Sequence, residues 1–437
     1  MLWKIKEKAP EEFLLKFPEI HPVIANLLYQ RKIIDHKKVE QFLCPDYYKD
    51  PYDPFLMLGM KKAIDRIIAA IFPPNRKADD KKEKIVIFGD YDADGVCASA
   101  LLSQTLILLG ADVSVYIPNR EAEGYGMNAK AIEEFSRQNV NLVITVDCGI
   151  SNKKEVDLAK KEGIDVIITD HHPIVQDVPD AFAVVDPKQK NDKYPFKFLA
   201  GVGVAYKLIS ALLKTLEMFS ASLPLREGEL EGVPPQEDKF SIPNKEEIKE
   251  KFQQFGGIDG YLKCMLDIVA LGTVADVCPL IDENRTLVKY GLMILEKNWR
   301  LGIAELLKAA QIYDGKSELS LDTHSLGYQL GPRLNASGRI DHANTSYQLL
   351  ITRSRLEAQE LAKDIEAKNT KRQKLTKQII DEIKKDENIA ENNFIFASLP
   401  DCIAGIVGLI AGKITDEFGK PAFIISEKNE LAKGSCR

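Results

Sequence analysis

The sequence lacks the features that would place the chain in a membrane or outside the reducing interior of a cell. Its seven cysteines are odd in number, dispersed and without CxxC spacing, which argues against a disulfide framework or a zinc site. No apolar run approaches the roughly 20 residues of a membrane span. The first residues, MLWKIKEKAPEEF, carry acids and lack the apolar core of a signal peptide. We therefore expect a cytoplasmic protein with no membrane partner.

The sequence also lacks an excess of positive charge. Its 59 lysines and arginines are outnumbered by 65 aspartates and glutamates, so the formal net charge is −6. The charge therefore gives no support for a general attraction for nucleic acid, and any polyanion has to be held by a local groove or by metal ions. With 437 residues, of which 45% are hydrophobic, the chain is long enough for two or three domains with proper cores.

What the sequence does contain is a concentration of carboxylates in the stretch IVIFGDYDADGVCAS. Asp90, Asp92 and Asp94 alternate directly after an apolar strand. Carboxylates this close repel one another, so they stay ionised only if a cation lies among them. A calcium loop would need a bidentate glutamate at its twelfth position, where Leu101 stands. A solvated acidic turn is the other ordinary explanation, but such a turn needs no apolar strand leading into it.

Apolar runs alternate with helical patterns between residues 85 and 170. IVIFGD, DVSVYIP, LVITVD and DVIITD predict strands, and the segments between them have helical spacing. This alternation indicates βαβ units and an α/β fold with a doubly wound, mostly parallel sheet. Asp90, Asp147 and Asp170 each stand at the carboxyl end of a predicted strand, the edge where such sheets bind ligands. Three acidic strand ends on one edge are the first indication of a site.

Three further motifs add candidate ligands. In ITVDCGI, Asp147 alone has the common explanation of a helix cap. In ITDHHPI, His171 and His172 follow Asp170 at the end of a β-branched strand. Adjacent side chains point opposite ways in extended chain, so one histidine can ligate metal while the other reaches substrate. In ALGTVADVCPL, Asp276 follows a buried-looking helix and is evenly balanced between a cap and a ligand.

Together these motifs supply four carboxylates and one imidazole, from Asp92, Asp94, Asp147, His171 and Asp276. Oxygen-rich sites with one histidine suit Mn²⁺ or Mg²⁺ better than Zn²⁺, which prefers more nitrogen and sulfur. So many carboxylates indicate two ions that share a bridging aspartate, the arrangement used for in-line attack on phosphorus. We therefore expect two divalent cations, Mn²⁺ or Mg²⁺, as cofactors.

The remaining patterns divide the chain into four parts. Residues 1–75 have the pattern of short amphipathic helices and end before a polar break, NRKADDKKEK. Residues 76–350 hold the alternating pattern, with a polar, proline-rich surface insertion at 220–256. Residues 351–390 predict a long, mixed-charge helix with a solvated face, which we interpret as a connector. Residues 391–437 begin a smaller α/β unit, which we expect to be truncated because a final strand at KGSCR has no partner after it.

GDYDADG, VDCG, TDHH and GTVADV, in this order, resemble the four motifs of the DHH phosphoesterases. Within that superfamily, GPRLNASGR, the partial motif GIVGLIAGKI…KGSCR and the N-terminal HPVIANLLYQRKI…MKKAIDRI resemble the RecJ family of exonucleases. The resemblance spans nearly the whole chain. It implies a DHH domain followed by a partial DHHA1-like domain. It also implies an enzyme that degrades single-stranded DNA 5′→3′ to 5′-mononucleotides in DNA repair and recombination, with single-strand-binding protein and a helicase as partners.

The resemblance also implies roles for individual residues. The two ions would be held by Asp92, Asp94, Asp147, His171 and Asp276, with Asp90 and Asp170 in support and His172 on the scissile phosphate. The 5′-phosphate would be contacted by Arg120, Ser435 and Arg437, and the strand path would be lined by Arg333 and Arg339. Arginine forks match phosphate oxygens with two hydrogen bonds. A pocket for the terminal phosphate, one nucleotide back from the metals, explains exonuclease rather than endonuclease action.

The sequence departs from the family pattern in two places. Phe88 stands where some relatives have histidine, and the insertion at 220–256 widens the gap between the motifs TDHH and GTVADV.

Two alternatives stay open at this point. A DHH-family phosphodiesterase for short oligonucleotides or cyclic dinucleotides is the alternative within the superfamily, although GPRLNASGR and the N-terminal helices argue against it. A non-catalytic replication scaffold is the alternative from another class. Such relatives lose metal ligands, whereas every ligand position here is a competent aspartate or histidine.

Overall fold

The computed structural model describes residues 4, 6–73, 82–221, 245–297, 299–313, 319–385, 392–428 and 431–437. The centre of the predicted insertion, residues 222–244, and most of the polar break NRKADDKKEK lie outside the described residues. None of the helices in the described ranges is both long and apolar enough to cross a membrane.

The elements alternate between helix and strand in the middle of the chain and are mostly helical elsewhere. The strands are β1 Lys84–Gly89, β2 Asp112–Tyr116, β3 Leu142–Val146, β4 Asp165–Thr169, β5 Ala183–Val185, β6 Ile395–Pro400, β7 Ala422–Lys428 and β8 Leu431–Cys436. The helices are α1 Glu11–Lys16, α2 Pro22–Gln30, α3 His36–Leu43, α4 Met60–Ile71, α5 Ala93–Leu109, α6 Ala129–Arg137, α7 Lys153–Lys161, α8 Gly201–Ala221, α9 Lys245–Phe252, α10 Ile258–Cys264, α11 Leu266–Ala275, α12 Asp282–Glu296, α13 Leu301–Ala309, α14 Gly331–Ile340, α15 Asn344–Ile351, α16 Arg355–Ile383 and α17 Ala404–Phe418.

The first five strands form one sheet, in the order β2-β1-β3-β4-β5, in which every neighbouring pair is parallel. Alternate side chains of β1 face opposite sides, Ile85 toward a cluster with α5, α8 and α11, and Val86 toward a cluster with α6 and α7. The prediction of a doubly wound parallel sheet is confirmed. The sequence pattern does not predict β5, because a strand of three residues is too short to show a period.

The N-terminal helices belong to two hydrophobic clusters. α1, α2 and α3 enclose a small cluster of their own, built around Phe13, Phe17 and Leu28. α4 instead buries its apolar face in the main cluster and contacts β5 and α8. The helices predicted before residue 75 are therefore present, and the last of them packs with the sheet.

One sequence expectation fails between the sheet and Asp276. The end of the predicted surface insertion forms α9, whose Ile248 and Phe252 are buried in the main cluster, so this part is not a surface insertion. The difference arises because apolar residues on a short helix bury against a neighbour that local spacing does not reveal. The segment YLKCMLDIVALGTVADV that follows forms the two helices α10 and α11, which meet at Met265.

The long predicted connector is a helix, α16, but only part of its surface is solvated. Its first half buries Ala358, Ala362 and Ile365 and contacts α13, α14 and α15. Its last turn contributes Ile380 and Ile383 to the hydrophobic cluster of the smaller unit. The helix therefore runs from one unit to the other and packs against both.

The smaller unit is a three-stranded sheet in the order β6-β7-β8, covered by α17. β6 and β7 are parallel, whereas β8 pairs antiparallel with β7 and places Ser435 opposite Ile424. The final strand therefore finds its partner in β7, which precedes it in the chain. β8 also contacts the unit that contains the five-stranded sheet, since Lys433 Nζ donates a hydrogen bond to the carbonyl oxygen of Glu121 at 2.6 Å.

Candidate metal centre and basic cavity

Three aspartates stand at the carboxyl edge of the large sheet, where the sequence predicts them. Asp90, Asp147 and Asp170 directly follow β1, β3 and β4, and all three are buried. The strand order turns back between β1 and β3, and this switch point is where doubly wound sheets open a crevice for a ligand. Asp90 and Asp147 therefore lie on the two sides of that crevice.

Asp92 and Asp94 are held by the N-termini of two helices. Asp92 Oδ1 caps α5 by accepting the N–H groups of Asp94 at 2.9 Å and Gly95 at 3.1 Å. Asp94 accepts from the start of α8, with the N–H groups of Gly201 at 2.6 Å and Val202 at 3.0 Å. Helix N-termini carry partial positive charge and favour ionised carboxylates. These contacts also fix the directions in which the remaining oxygen lone pairs point.

The imidazole of His171 is the point at which the separate motifs meet. Its Nε2 lies 3.0 Å from Asp147 Oδ1 and 3.9 Å from both Asp94 Oδ2 and Asp276 Oδ2. A second group has ligand oxygens that lie within 4.8 Å of one another, from Asp90, Asp92 and Asp147. The structure thus brings all five expected metal ligands together. Asp147 is common to the two ligand groups, the one around His171 and the one with Asp90 and Asp92.

Several atoms of this cluster have no hydrogen-bond partner among the described residues. Asp147 Oδ1 and His171 Nε2 are buried and 3.0 Å apart, yet they do not meet in hydrogen-bond geometry, and Asp90 Oδ1 is also buried without a partner. A buried polar atom without a partner costs about 1–3 kcal/mol. A divalent cation between these atoms would satisfy them, so the residues fit metal ions that take oxygen ligands and one nitrogen.

Burial and mutual repulsion oppose carboxylates that are not accompanied by a cation. Burial, followed by the charges of Asp94 and Asp92, raises the pKa of Asp147 well above its usual range. Burial and the Asp92 charge raise the pKa of Asp90 to about 8. Burial lowers the pKa of His171 to about 4, so its imidazole is neutral at physiological pH, the form that binds metal.

We expect the metal-free protein to lose stability as the pH rises from about 4 to about 8. The pKa of Asp90 is 3.8 in the unfolded chain and about 8 in the folded one, so the folded state holds the proton more tightly. That advantage is fully present below the lower value and disappears as the pH passes the higher one. The thermal midpoint in EDTA should fall across this range, and Mn²⁺ should reverse the fall at its upper end. A flat profile in EDTA would contradict this expectation.

His172 lies beside His171 rather than opposite it. The two ring centroids are 4.6 Å apart, so the expectation that the side chains point opposite ways is wrong. The chain turns after β4, where Asp170 Oδ1 accepts the N–H groups of both histidines at 2.7 and 3.1 Å. Asp170 Oδ1 also lies 2.8 Å from His172 Nδ1, and this hydrogen bond raises the pKa of His172. The His172 side chain remains 41% exposed.

Two residues that touch the cluster were not identified by sequence reasoning. The hydroxyl of Tyr125 donates to the carbonyl oxygen of Asp147 at 3.2 Å and lies 3.2 Å from His172 Nδ1. The thiol of Cys278 donates to Asp276 Oδ2 at 3.1 Å. A single tyrosine or cysteine near a motif has no periodicity or spacing to mark it. Only the folded chain shows what such residues contact.

Glycines from three helices pack directly against the carboxylates. An added Cβ would lie 2.7 Å from Asp90 Cβ at Gly95 of α5, 2.6 Å from Asp147 Oδ1 at Gly201 of α8, and 2.8 Å from Asp94 Oδ1 at Gly272 of α11. Such contacts are far closer than carbon and oxygen atoms normally approach. The absence of side chains at these positions therefore lets three helices meet at the acidic cluster.

We expect Gly201→Ala to weaken Mn²⁺ binding by roughly 10–100-fold, the range for a disturbed support of a metal ligand. The new methyl group would displace Asp147, because it would lie 2.6 Å from the carboxylate oxygen. Mn²⁺ titration by calorimetry measures the effect. Gly203→Ala on the same helix is the control, since its methyl group meets only the Leu199 side chain at 3.3 Å. Equal Mn²⁺ affinity in the two variants would refute this role of Gly201.

The segment GPRLNASGR lies on α14 and packs against the acidic loop. Asn335 Oδ1 accepts the N–H of Ala93, the first residue of α5, at 2.8 Å. A Cβ on Gly338 would lie 2.6 Å from the carbonyl oxygen of Tyr91, so the loop passes directly over this glycine. The segment thereby supports the turn that carries the carboxylates and places Arg339 beside Tyr91.

A cavity of about 740 Å³ adjoins the acidic loop at Tyr91. Its walls come from both units and include the three residues expected to contact the 5′-phosphate, Arg120, Ser435 and Arg437. They also include Arg339, one of the two arginines expected along the strand path. Lys433 adds a further cation to the lining.

The arginines of the cavity are held in place by neutral groups. The Arg120 guanidinium lies over the ring of Tyr91, 4.7 Å from its centroid. Arg339 Nη1 donates to the carbonyl oxygen of Gly405 at 2.9 Å. Burial, followed by the positive charges of Arg120 and Arg372, lowers the pKa of Arg339 to about 10. An anion bound in the cavity would offset the mutual repulsion of its positively charged side chains.

Arg333 does not line this cavity. Its Nε donates to Glu366 Oε2 of α16 at 2.5 Å, and its Nη1 donates to the carbonyl oxygen of Gln329 at 2.8 Å. The carboxylate of Glu366 therefore offsets its charge. The structure does not bring Arg333 together with Arg339, the other arginine expected along the strand path, or with the residues expected to contact the 5′-phosphate.

The fold and the site together define a class of protein. A parallel sheet that carries carboxylates at the ends of β1 and β3 and the sequence Asp-His-His after β4 belongs to the DHH type. The model of the DHH family, N-terminal domain, matches residues 84–229.

Within that class, the chain belongs to the RecJ family, and this sequence prediction is confirmed. The chain is 38% identical over its whole length to the single-stranded-DNA-specific exonuclease RecJ of Bacillus subtilis, and it covers 49% of that protein. It is 30% identical to RecJ of Dickeya dadantii, over 97% of this chain and 67% of that protein.

A solved structure supports the same relationship. The crystal structure of exonuclease RecJ bound to manganese matches with a TM-score of 0.68 and 28% identity, and covers 89% of this chain and 84% of that chain. This chain spans about half the length of the Bacillus subtilis relative.

Proposed function

We propose that the chain carries the catalytic part of a single-stranded-DNA-specific 5′→3′ exonuclease. It would release 5′-mononucleotides by two-metal phosphodiester hydrolysis, in DNA repair and recombination. The observation that carries the proposal is the direct junction, at Tyr91, between an acidic cluster suited to metal ions and a basic cavity walled by both units. Relatives named single-stranded-DNA-specific exonucleases support the proposed substrate.

The ligands proposed for two Mn²⁺ or Mg²⁺ ions are Asp92, Asp94, Asp147, His171 and Asp276. The buried, unpartnered atoms Asp147 Oδ1 and His171 Nε2 support this assignment, as does the manganese named for the similar RecJ structure. Ions bound there would lower the pKa of a bound water and offset negative charge during in-line attack on phosphorus. Asp90, which directly follows β1, is proposed to support this loop.

The residues proposed to hold the 5′-phosphate are Arg120, Ser435 and Arg437, and Arg339 of the same cavity is proposed to line the adjoining strand path. Arginine forks bind phosphate oxygens through two hydrogen bonds, and the serine hydroxyl adds a neutral donor. Because the cavity adjoins Tyr91 between Asp90 and Asp92, a terminal phosphate bound there fixes how far the strand extends into the acidic cluster. Cleavage then removes one nucleotide at a time from the 5′ end. Arg333 stays a proposed contact of the bound DNA strand, at a position farther from its 5′ end.

His172 is the residue proposed to contact the scissile phosphate. Asp170 binds its Nδ1 and raises its pKa, so Nε2–H is the donor that can reach a phosphate oxygen or the leaving oxygen. Asp170 thereby acts as a positioning residue for the imidazole. Tyr125 contacts the same ring and limits its rotation.

Single-stranded DNA is the proposed binding partner, with single-strand-binding protein and a helicase as further proposed partners. The cytoplasm is the proposed location. All seven cysteines are free thiols, which supports a reducing compartment.

The comparison of a long single strand with small substrates tests the proposal. In Mn²⁺, kcat/KM for a 5′-phosphorylated single strand should exceed that for a dinucleotide by at least about tenfold, because distant contacts contribute to transition-state binding. The same sequence as a duplex should resist hydrolysis. Faster hydrolysis of dinucleotides or cyclic dinucleotides would overturn the proposal in favour of a small-substrate phosphodiesterase.

A further inference from the structure

Cys278 gives the acidic cluster a soft ligand atom that neither Mn²⁺ nor Mg²⁺ requires. The sulfur of Cys278, a carboxylate oxygen of Asp276 and a ring nitrogen of His171 all lie within 4.8 Å of one another. His171 is only 6% exposed, and its Nε2 has no hydrogen-bond partner among the described residues. In the described part of the chain, no other cysteine belongs to such a group.

The distances in this corner suit a tetrahedral ion. Zn²⁺ binds sulfur at about 2.3 Å and nitrogen or oxygen at about 2.0–2.1 Å, so neighbouring ligand atoms around it are roughly 3.3–3.6 Å apart. Cys278 Sγ lies 3.1 Å from Asp276 Oδ2, and His171 Nε2 lies 3.9 Å from the same oxygen. Small side-chain rotations would bring all three atoms to the required spacing.

We propose that His171, Asp276 and Cys278 form a binding site for a soft divalent cation, Zn²⁺ above all, and that its occupation inhibits the enzyme. On binding, the S–H bond of Cys278 breaks, a Zn–S bond forms and the proton leaves to solvent. The inhibition rests on the proposed two-metal function, whereas the binding of Zn²⁺ does not.

Competition between Zn²⁺ and Mn²⁺ for shared ligands explains why Zn²⁺ binding would inhibit the enzyme. Zn²⁺ lies above Mn²⁺ in the order of affinities for a given site, and a thiolate increases its advantage over the harder ion. His171 and Asp276, once committed to a tetrahedral ion with Cys278, are no longer available to an ion shared with Asp147. The cysteine therefore makes this site sensitive to a metal that the other ligands alone would bind less tightly.

The binding is tested on the whole chain with Co²⁺ as a spectroscopic substitute for Zn²⁺. Cys278→Ser keeps a hydroxyl donor for Asp276 but removes the soft ligand, and Cys264→Ser is the matched control, since Cys264 is similarly half-buried. Wild type and Cys264→Ser should show thiolate-to-Co²⁺ charge-transfer absorption in the near ultraviolet, and Cys278→Ser should not. Absence of the band in wild type, or its persistence in Cys278→Ser, would overturn the proposal.

The inhibition is tested by adding Zn²⁺ to the Mn²⁺-dependent reaction, with each variant compared with its own rate before addition. The Zn²⁺ concentration for half inhibition should be at least about tenfold higher for Cys278→Ser than for wild type and Cys264→Ser. Equal values for all three proteins would overturn the inhibitory role. If none of the three hydrolyses DNA, the proposed function fails, while the Co²⁺ spectra still decide whether the site exists.

Discussion

Asp147→Asn is expected to reduce Mn²⁺-dependent hydrolysis of a single strand by at least about 100-fold, since even the support of a metal ligand is worth 10–100-fold. Asp147 belongs to both ligand groups, and its Oδ1 is buried without a partner 3.0 Å from His171 Nε2. Its φ of 61° lies in the left-handed region, which asparagine tolerates well, so the substitution removes charge without straining the backbone.

The metal-free stability of this variant separates loss of metal from loss of fold. Burial and neighbouring carboxylates raise the pKa of Asp147, so its charge destabilises the metal-free folded state at neutral pH. The thermal midpoint of Asp147→Asn in EDTA should therefore equal or exceed that of wild type, while its increase on adding Mn²⁺ should be lost. Thermal unfolding with and without Mn²⁺ measures both.

Asp186→Asn is the matched control for that experiment. Like Asp147, Asp186 directly follows a strand of the sheet and is buried with one carboxylate oxygen, Oδ2, that has no partner among the described residues. Its Oδ1 accepts the N–H of Lys188 at 2.7 Å, and Asp186 belongs to neither ligand group. Its Mn²⁺-dependent rate should stay within a few-fold of wild type. Equal loss of activity in Asp147→Asn and Asp186→Asn, or full activity in Asp147→Asn, would disprove the metal assignment.

Arg120→Ala is expected to reduce kcat/KM for a 5′-phosphorylated strand by about 10–100-fold, the range for hydrogen bonds to a charged group. The guanidinium of Arg120 lies over the Tyr91 ring and lines the cavity that also contains Arg339 and Arg437. A strand that ends in a 5′-hydroxyl offers no terminal phosphate to bind, so its kcat/KM should change little. Parallel measurements on the two strands therefore isolate the contact.

Two further variants sharpen the test of the cavity. Arg120→Lys keeps the charge but loses the bidentate fork, so it should retain only part of the preference for a 5′-phosphate. Arg333→Ala is the control outside the cavity, because Glu366 already pairs with that arginine. It should affect both strands equally. If Arg120→Ala lowers kcat/KM equally for both strands, Arg120 does not read the terminal phosphate.

The sheet and its acidic edge could be predicted because the information is local. Apolar runs of strand length alternate with helical spacing, and Asp90, Asp147 and Asp170 directly follow three of those runs. Parallel strands bring their carboxyl ends to one edge, so residues distant in sequence converge without any knowledge of packing. The contribution of Asp276 could not be decided in this way, since it lies after a helix rather than a strand.

The remainder of the site depends on packing that no local pattern reveals. The orientation of His172 follows from a turn at which Asp170 collects two backbone N–H groups, and an extended-chain argument gives the wrong side. The close approach of Gly201 to Asp147 requires two elements to meet in space. The cavity joins Arg120 to Arg437, residues of different units, so only resemblance to a family could propose it from sequence.

The most direct test of the central claim is a Mn²⁺-dependent time course on a 5′-phosphorylated single strand that is labelled at either end. We expect the 5′ label to appear from the first time points as a mononucleotide, while the 3′-labelled strand shortens gradually from its unlabelled end. EDTA or Asp147→Asn should stop both changes. Release of the 3′ label as a mononucleotide first, or early internal fragments, would contradict a 5′→3′ exonuclease built on this site.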